Sequence, residues 1–378
     1  MAADVSSYRY RFPVFENVTY LNSCSQGALA DTVRAAMIEY LDGMDDVGSL
    51  WGTWVGKQEE VRGLIAQVLG ADVSEVSVTS SASAAVSAIA SSLFDGSRRK
   101  VVTTSLEFPT IGQIWHAQER RGVEVVHVPA QSDNTLDLAA LAAAIDDDTQ
   151  IVSVTHVCYR NGAMTDIDAI VKLAHDRGAL VLVDSYQATG AVPIDFHALG
   201  ADFLVGGCLK YMLGVPGVGF ALVNAATTSE LIPTITGWFA ARDIFAMDIN
   251  SYDPAKDARR FEGGTPPVPS TYPVAAGLNL LLEVGVERAW HQSSMLHDML
   301  RAGIADMGGR VVTPASTHGP MLAVASTDEN ALVAAMGEDG VIVSCRDGNV
   351  RISPHFYNND TDVERALASL RKHRDLLA

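Results

Sequence analysis

Two residues near the middle of the chain have the types and placement for amine and carbonyl chemistry. Asp184 closes the apolar run ALVLVD (179–184), and Lys210 stands just past the end of the next run, DFLVGG (202–207). A lysine amine condenses with an aldehyde to a Schiff base, and a carboxylate keeps a heteroaromatic ring nitrogen protonated, so that the ring accepts electrons released at a substrate carbon. Pyridoxal 5′-phosphate (PLP) needs both groups. Its phosphate needs a third feature, backbone N–H groups at a helix N-terminus. Thr79-Ser80-Ser81-Ala82-Ser83 leads from a β-rich run into a helical pattern with the small, hydroxyl-bearing residues that close approach to an anion requires. By itself such a turn is more often an ordinary serine N-cap.

The elements that must position these residues alternate in type. From about Lys57 to Val223 helical patterns interleave with β-rich runs at 77–80, 100–104, 123–128, 151–156, 179–184, 202–207 and 217–223. Helices are predicted at 83–94, 138–145 and 167–178, the last ending at Gly178 as helix C-termini prefer. The alternation predicts an α/β sheet, and the near-continuous Val, Ile and Leu of several runs predicts strands covered on both faces. Open α/β sheets hold ligands at the carboxyl ends of their strands, where Asp184 and Lys210 lie. Five prolines between 229 and 270 mark a junction. Beyond it the patterns predict one long helix over 272–307, short strands at 310–313, 320–325, 341–344 and 349–353, and a final helix opened by Thr361 and Asp362. The expected division is an N-terminal segment, 1–25, packing with a small C-terminal α+β domain, 256–378, and a large cofactor domain, 26–255.

Composition excludes several function classes. With 27 Lys and Arg against 45 Asp and Glu, the formal net charge of −18 repels phosphate backbones and anionic lipid headgroups, so neither nucleic acid nor a membrane surface is an expected partner. No apolar stretch approaches the ~18 residues of a membrane span, and the first residues lack a signal peptide's apolar run, which predicts a cytoplasmic protein. The 4 cysteines, Cys24, Cys158, Cys208 and Cys345, have neither disulfide-framework nor zinc-site spacing, and no metal is expected. GVPGVG (214–219) leads into a strand, whereas a dinucleotide fingerprint leads into a helix.

Over nearly its whole length the chain resembles the class V, or cysteine-desulfurase-like, group of fold-type I PLP enzymes, which includes kynureninases, selenocysteine lyases and isopenicillin N epimerase. The motifs are YLNSCSQGAL (20–29), the 79–83 turn, LEFPT (106–110), THVCYRNG (155–162), D-x-x-Q-x-x-G (184–190) followed by Lys210, EGGTPP (262–267) and VRISPHFYN (350–358). The resemblance implies a large, mainly parallel, seven-stranded sheet sandwiched by helices, with a small α+β domain. It also implies roles. Lys210 would carry PLP as a Schiff base and shuttle a proton at the substrate α-carbon; Asp184 would pair with the ring nitrogen and Gln187 with the phenolic oxygen. Phe108 would stack on the ring, in a kynureninase-like Phe-Pro variant. Ser81, Ala82 and Ser83 would hold the phosphate, helped by Tyr211 and by Thr265 of a neighbouring subunit, so a homodimer with shared active sites is implied. Arg351 would grip the α-carboxylate of an amino-acid substrate, a task suited to a planar bidentate donor, with Asn22, Tyr159 and Arg160 as further substrate contacts.

There are departures from the family pattern. Gly207, Cys208 and Leu209 replace the S-x-H or S-Y that relatives carry before the lysine. The desulfurase persulfide carrier would have to be Cys345, in a short loop between Ser344 and Asn349, and Arg346 beside it is expected to favour its thiolate. His156 is a substrate-positioning candidate or a structural histidine, His355 has no assigned role, and Trp51 and Trp54, in GSLWGTWVGK (48–57), line the site mouth or a dimer contact. The reaction stays open among elimination, transamination and epimerisation. Aminotransferase or C–S/C–C lyase leads, an epimerase or kynureninase-like hydrolase follows, cysteine desulfurase or selenocysteine lyase comes lower, and a non-catalytic PLP-fold binder is the reading from a different class.

Overall fold

The computed structural model describes residues 5–378, so residues 1–4 of the expected N-terminal segment lie outside the described residues. Strand β1 (Thr19–Tyr20) precedes two long helices, α1 (Asp31–Val47) and α2 (Trp51–Leu69). An alternation follows: β2 (Val76–Thr79), α3 (Ala82–Ser91), β3 (Lys100–Thr104), α4 (Pro109–Ala117), β4 (Glu124–Val128), α5 (Leu138–Ala144), β5 (Thr149–Thr155), α6 (Ile167–His175), β6 (Leu180–Asp184), α7 (Phe196–Leu199), β7 (Phe203–Gly207) and β8 (Gly219–Val223). The C-terminal part runs α8 (Ala225–Thr228), α9 (Val268–Val284), α10 (Val286–Asp306), β9 (Leu322–Ala325), α11 (Glu329–Glu338), β10 (Val341–Ile342), β11 (Ser344–Arg346), β12 (Asn349–Ile352) and α12 (Asp360–Lys372).

Seven strands form one sheet in the order β2-β8-β7-β6-β5-β3-β4, parallel except for β8. Side chains alternate across it. Val101, Ile151, Leu182 and Phe203 pack with Ile89 of α3 and Trp115 of α4 on one face; Val102, Val152, Val181 and Val183 pack with Leu141 of α5 and Ile170 of α6 on the other. Burial on both faces accounts for the apolar runs, because a parallel strand with helices above and below has no polar side.

A three-stranded antiparallel sheet, β11-β12-β9, forms the C-terminal layer, and β1 pairs in parallel with β10 beside it. Leu21, from the N-terminal segment, shares a core with Leu300, Val324 and Val350, and Arg9 pairs with the buried Asp362 at 2.7 Å. Helix α9 packs against α1 and α2, its Val274 and Leu278 sharing a core with Val33 and Ile65.

Three expected elements differ. The helix over 272–307 is two helices, because Gly285 takes φ +86°, outside the helical range. The strand at 310–313 reduces to a single bridge, Val311 to Val324, since Pro314 has no N–H to extend the ladder. The last helix is capped two residues earlier than Thr361, by Asn359, whose side chain accepts from the Asp362 N–H. The segment with Trp51 and Trp54 begins helix α2, and these rings pack on each other at 5.4 Å. Among the described residues no helix is long and apolar enough to cross a membrane.

Candidate active site

The sheet's winding delivers the chemistry-bearing residues to one edge. In the parallel ladders Thr155 faces Asp184 and Asp184 faces Val205, so three adjacent strand ends present Thr155, Asp184 and the segment Gly207–Lys210 side by side. β8 runs the other way and starts at that edge with Gly219, opposite Thr79 of β2. A Cβ at 219 would lie 2.2 Å from the Ser81 carbonyl carbon, so the missing side chain lets the N-terminus of α3 abut the strand end. The cleft at this edge measures about 300 Å³, within the range of small-molecule sites. Ser81, Ala82, Ser83, Asp184, Gln187 and Lys210 are on its wall.

Lys210 points its ammonium over the Tyr186 ring, 4.5 Å from the centroid. Burial pushes its pKa down to about 8, with Cys24 and Asp184 opposing and Arg351 and Arg346 reinforcing the shift. A share of the amine is therefore neutral near neutral pH, as a nucleophile or base needs. Asp184 is 7% exposed and takes the Tyr186 N–H on Oδ1 at 3.0 Å. Burial raises its pKa, with the Tyr186 hydrogen bond and Lys210 opposing, so a cation set against it would favour its charged form. The Gln187 amide nitrogen donates to the Cys24 carbonyl at 3.1 Å, leaving Oε1 buried without a partner. Ser81 caps α3, its Oγ accepting the Ala84 N–H at 3.1 Å. Phe108 and Tyr159 meet edge to face at 4.9 Å on the cavity wall.

Arg351, on β12, is buried behind two wall residues. It donates to the Tyr159 carbonyl at 2.9 Å and to the Ser25 hydroxyl at 3.3 Å, is braced by Ser344 at 3.0 Å, and keeps Nε unpartnered. Four further sequence candidates, like Arg351, stand off the cavity wall. Tyr211 is fully buried against His355, 5.6 Å between rings. Thr265 lines a separate recess with Thr79 and Ser80. Arg160 is engaged by Asp347 at 3.3 Å and by the Ser105 carbonyl. Asn22 bridges to Ser353 through its backbone. Proximity in sequence to a site residue does not decide on which side of the backbone a side chain leaves.

His156 shares a 2.8 Å hydrogen bond with Ser185, and burial lowers its pKa to about 4, which keeps it neutral near neutral pH. Cys345 is the middle residue of β11, tied to Asn330 at 3.5 Å, and only Asp347 and Gly348 separate β11 from β12. Burial and Glu329 push its thiol pKa up despite Arg346, the reverse of the sequence expectation. Sequence reasoning did not single out Tyr186, Ser25, Thr155 or Glu107. Tyr186 could have been found from its place inside D-x-x-Q; the rest are brought in by long-range pairing.

The donor set fits PLP. A lysine amine of lowered pKa, a buried carboxylate and a helix N-terminus opened by a glycine, all at one cavity, match an aldehyde, a ring nitrogen and a phosphate.

A family model described as Aminotransferase class-V matches residues 20–366. The uncharacterized aminotransferase YcbU of Bacillus subtilis is 35% identical over 363 residues, 95% of each chain. A kynureninase of Pseudomonas fluorescens is 30% identical over 307 residues, 77% of this chain and 71% of its own. Among solved structures, a cysteine desulfurase of Thermococcus onnurineus superimposes with a TM-score of 0.87 at 22% identity over 97% of both chains. The cystine C-S lyase C-DES does so with 0.89 at 20% identity, over 97% of this chain and 100% of its own. At these identities the structural likeness speaks for the fold.

Proposed function

The chain belongs to the class V aminotransferase family of PLP enzymes, and from that premise we propose that it acts at the α-carbon of an L-α-amino acid, as an aminotransferase or a C–S or C–C lyase. The observation that carries this reading is the meeting of Lys210, Asp184 and the N-terminus of α3 in one cavity. Bound there, PLP supplies an aldehyde for the amine and a ring that draws off electrons from the α-carbon. Asp184 holds a proton at the ring nitrogen. Lys210 carries a proton to and from the α-carbon, its amine kept basic but not fully protonated by burial. Arg351 binds the α-carboxylate, and Ser25 and Tyr159, both hydrogen-bonded to it, orient that end of the substrate. Phe108 and Tyr159 restrict water at the rim.

On the reading of a homodimer with shared sites, Thr265 serves the other subunit's phosphate, which accords with its lying outside this chain's own cavity. Unpaired cysteines accord with a cytoplasmic setting. A kynureninase-like hydrolase is the second reading, favoured by Phe108-Pro109 and the kynureninase relative. Desulfuration is disfavoured because Cys345 sits within a tight hairpin rather than on a loop with reach.

The test is to incubate the PLP-loaded protein with single L-amino acids, L-kynurenine and L-cysteine included, and identify products by mass spectrometry. A 2-oxo acid without loss of the side chain marks transamination, and a released side-chain fragment marks a lyase. Turnover should survive Cys345→Ser. Absence of any product, or equal turnover by Lys210→Ala, would overturn the proposal.

A further inference from the structure

Beside the cavity lies a carboxyl group that none of these roles uses. Glu107 follows β3, immediately precedes Phe108, and is 8% exposed. Among the described residues, both donors that reach it go to the same oxygen: the Thr104 hydroxyl and the Thr155 N–H each donate to Oε1 at 2.8 Å, while Oε2 is buried without a partner. A carboxylate here would leave one charged oxygen buried with no donor among the described residues, which is costly; a carboxylic acid uses Oε1 as its carbonyl and carries the proton on Oε2.

The neighbours point the same way. Thr155 faces Asp184 in the β5–β6 ladder, so Glu107 and Asp184 are anchored one strand apart. Two buried carboxyl groups so placed do not both ionise readily. The other titratable groups nearby offer Glu107 no counter-charge among the described contacts. His156 is neutral; Cys158 is a buried thiol against the Leu106 carbonyl; Arg160, whose guanidinium donates to the Ser105 carbonyl of this same turn, is charge-paired with Asp347; and Lys210 faces Tyr186. Burial, with Asp184 adding to it against the two hydrogen bonds, lifts the Glu107 pKa to about 8.

We propose that Glu107 is a positioning residue held in its uncharged form, pinning the turn 105–108 to β5 so that Phe108 stays at the cavity, and leaving Asp184 as the one carboxylate charge facing the cofactor ring. The inference rests on the cavity being the PLP site, and it concerns which of two carboxyl groups keeps the proton.

The experiment pairs infrared difference spectroscopy of the holoenzyme with absorbance titration of PLP, for wild type, Glu107→Gln, Glu107→Ala and Asp184→Asn. At pH 7 the wild type should show the carbonyl stretch of a buried carboxylic acid that Glu107→Gln lacks. Glu107→Gln, which keeps Oε1 as acceptor, should bind PLP within twofold of wild type, whereas Glu107→Ala should bind at least tenfold more weakly. In Asp184→Asn, with the neighbouring charge gone, the acid band should vanish at a lower pH than in wild type, a shift that a merely structural glutamate would not produce. Absence of the acid band from wild type, an unmoved band in Asp184→Asn, or tenfold weaker PLP binding by a folded Glu107→Gln would each overturn the inference. A protein that takes up no PLP defeats the cofactor reading instead, and the infrared band still reports the charge of Glu107.

Discussion

Replacing Gly219 by alanine tests the phosphate seat without touching a polar group. A Cβ at 219 would stand 2.2 Å from the Ser81 carbonyl carbon, 2.4 Å from the Ala82 nitrogen and 2.6 Å from the Ser81 Cα. All three are backbone atoms, so no rotamer relieves the clash. Going from 2.2 Å to the 3.4 Å where ordinary contact begins displaces the start of α3 by about 1.2 Å. An N–H···O bond of about 2.9 Å stretched by that amount is lost. A hydrogen bond to a charged group contributes about 1.5–3 kcal/mol, so losing one raises the PLP Kd roughly ten- to hundredfold. The assay is absorbance titration of the apoprotein with PLP and, separately, with pyridoxal, which lacks the phosphate. Gly219→Ala should weaken PLP and leave pyridoxal nearly unchanged. Gly63→Ala, where a Cβ meets nothing within 4 Å, serves as control. Wild-type PLP affinity in a folded Gly219→Ala protein, or equal weakening of both ligands, would refute the placement of the phosphate at α3.

Three other outcomes are expected. Arg62, on α2, meets Glu262 at 2.6 Å with both side chains 2% exposed, and Gln58 and the Val78 N–H complete the carboxylate's bonding; Arg62→Met strands that charge and should cost about 3–5 kcal/mol, read as a lowered Tm, whereas an unchanged Tm would contradict it. Arg351→Ala should raise KM for the amino acid about ten- to hundredfold while PLP absorbance is retained, and an unchanged KM would remove Arg351 from the substrate site. Glu107, with its folded pKa raised from 4.5 to about 8, binds more protons folded than unfolded between those values, so its contribution to stability falls as pH rises through that window. Melts at pH 5 and pH 8 should show a larger drop in wild type than in Glu107→Gln; equal drops would mean that Glu107 is already ionised.

Much of the frame was legible because local patterns and the fold agree. The Val and Ile runs at 151–156 and 179–184 are buried on both faces, so their hydrophobicity is continuous and readable. Asp184 and Lys210 stood out because each follows such a run. The residues missed depend on pairing across strands: Glu107 acquires its environment from Thr155, 48 positions on, and Arg351 its own from Ser25, 326 positions away. Misplaced expectations trace to side-chain direction and to single backbone angles. Tyr211 adjoins Lys210 yet turns into the core, and Gly285 alone divides a stretch whose apolar pattern reads as one helix. The formal charge of −18 gives no general attraction to anions, so the site must build its own positive field from Arg351 and the start of α3.

The most direct test of the account is borohydride reduction of the PLP-loaded protein followed by mass mapping of its peptides. Reduction should abolish the visible absorption band and leave the pyridoxyl phosphate group on Lys210, and Lys210→Ala should yield no such labelled peptide. A protein that takes up no PLP, or one that carries the label on a different lysine, would contradict the assignment of Lys210 and the cavity built around it.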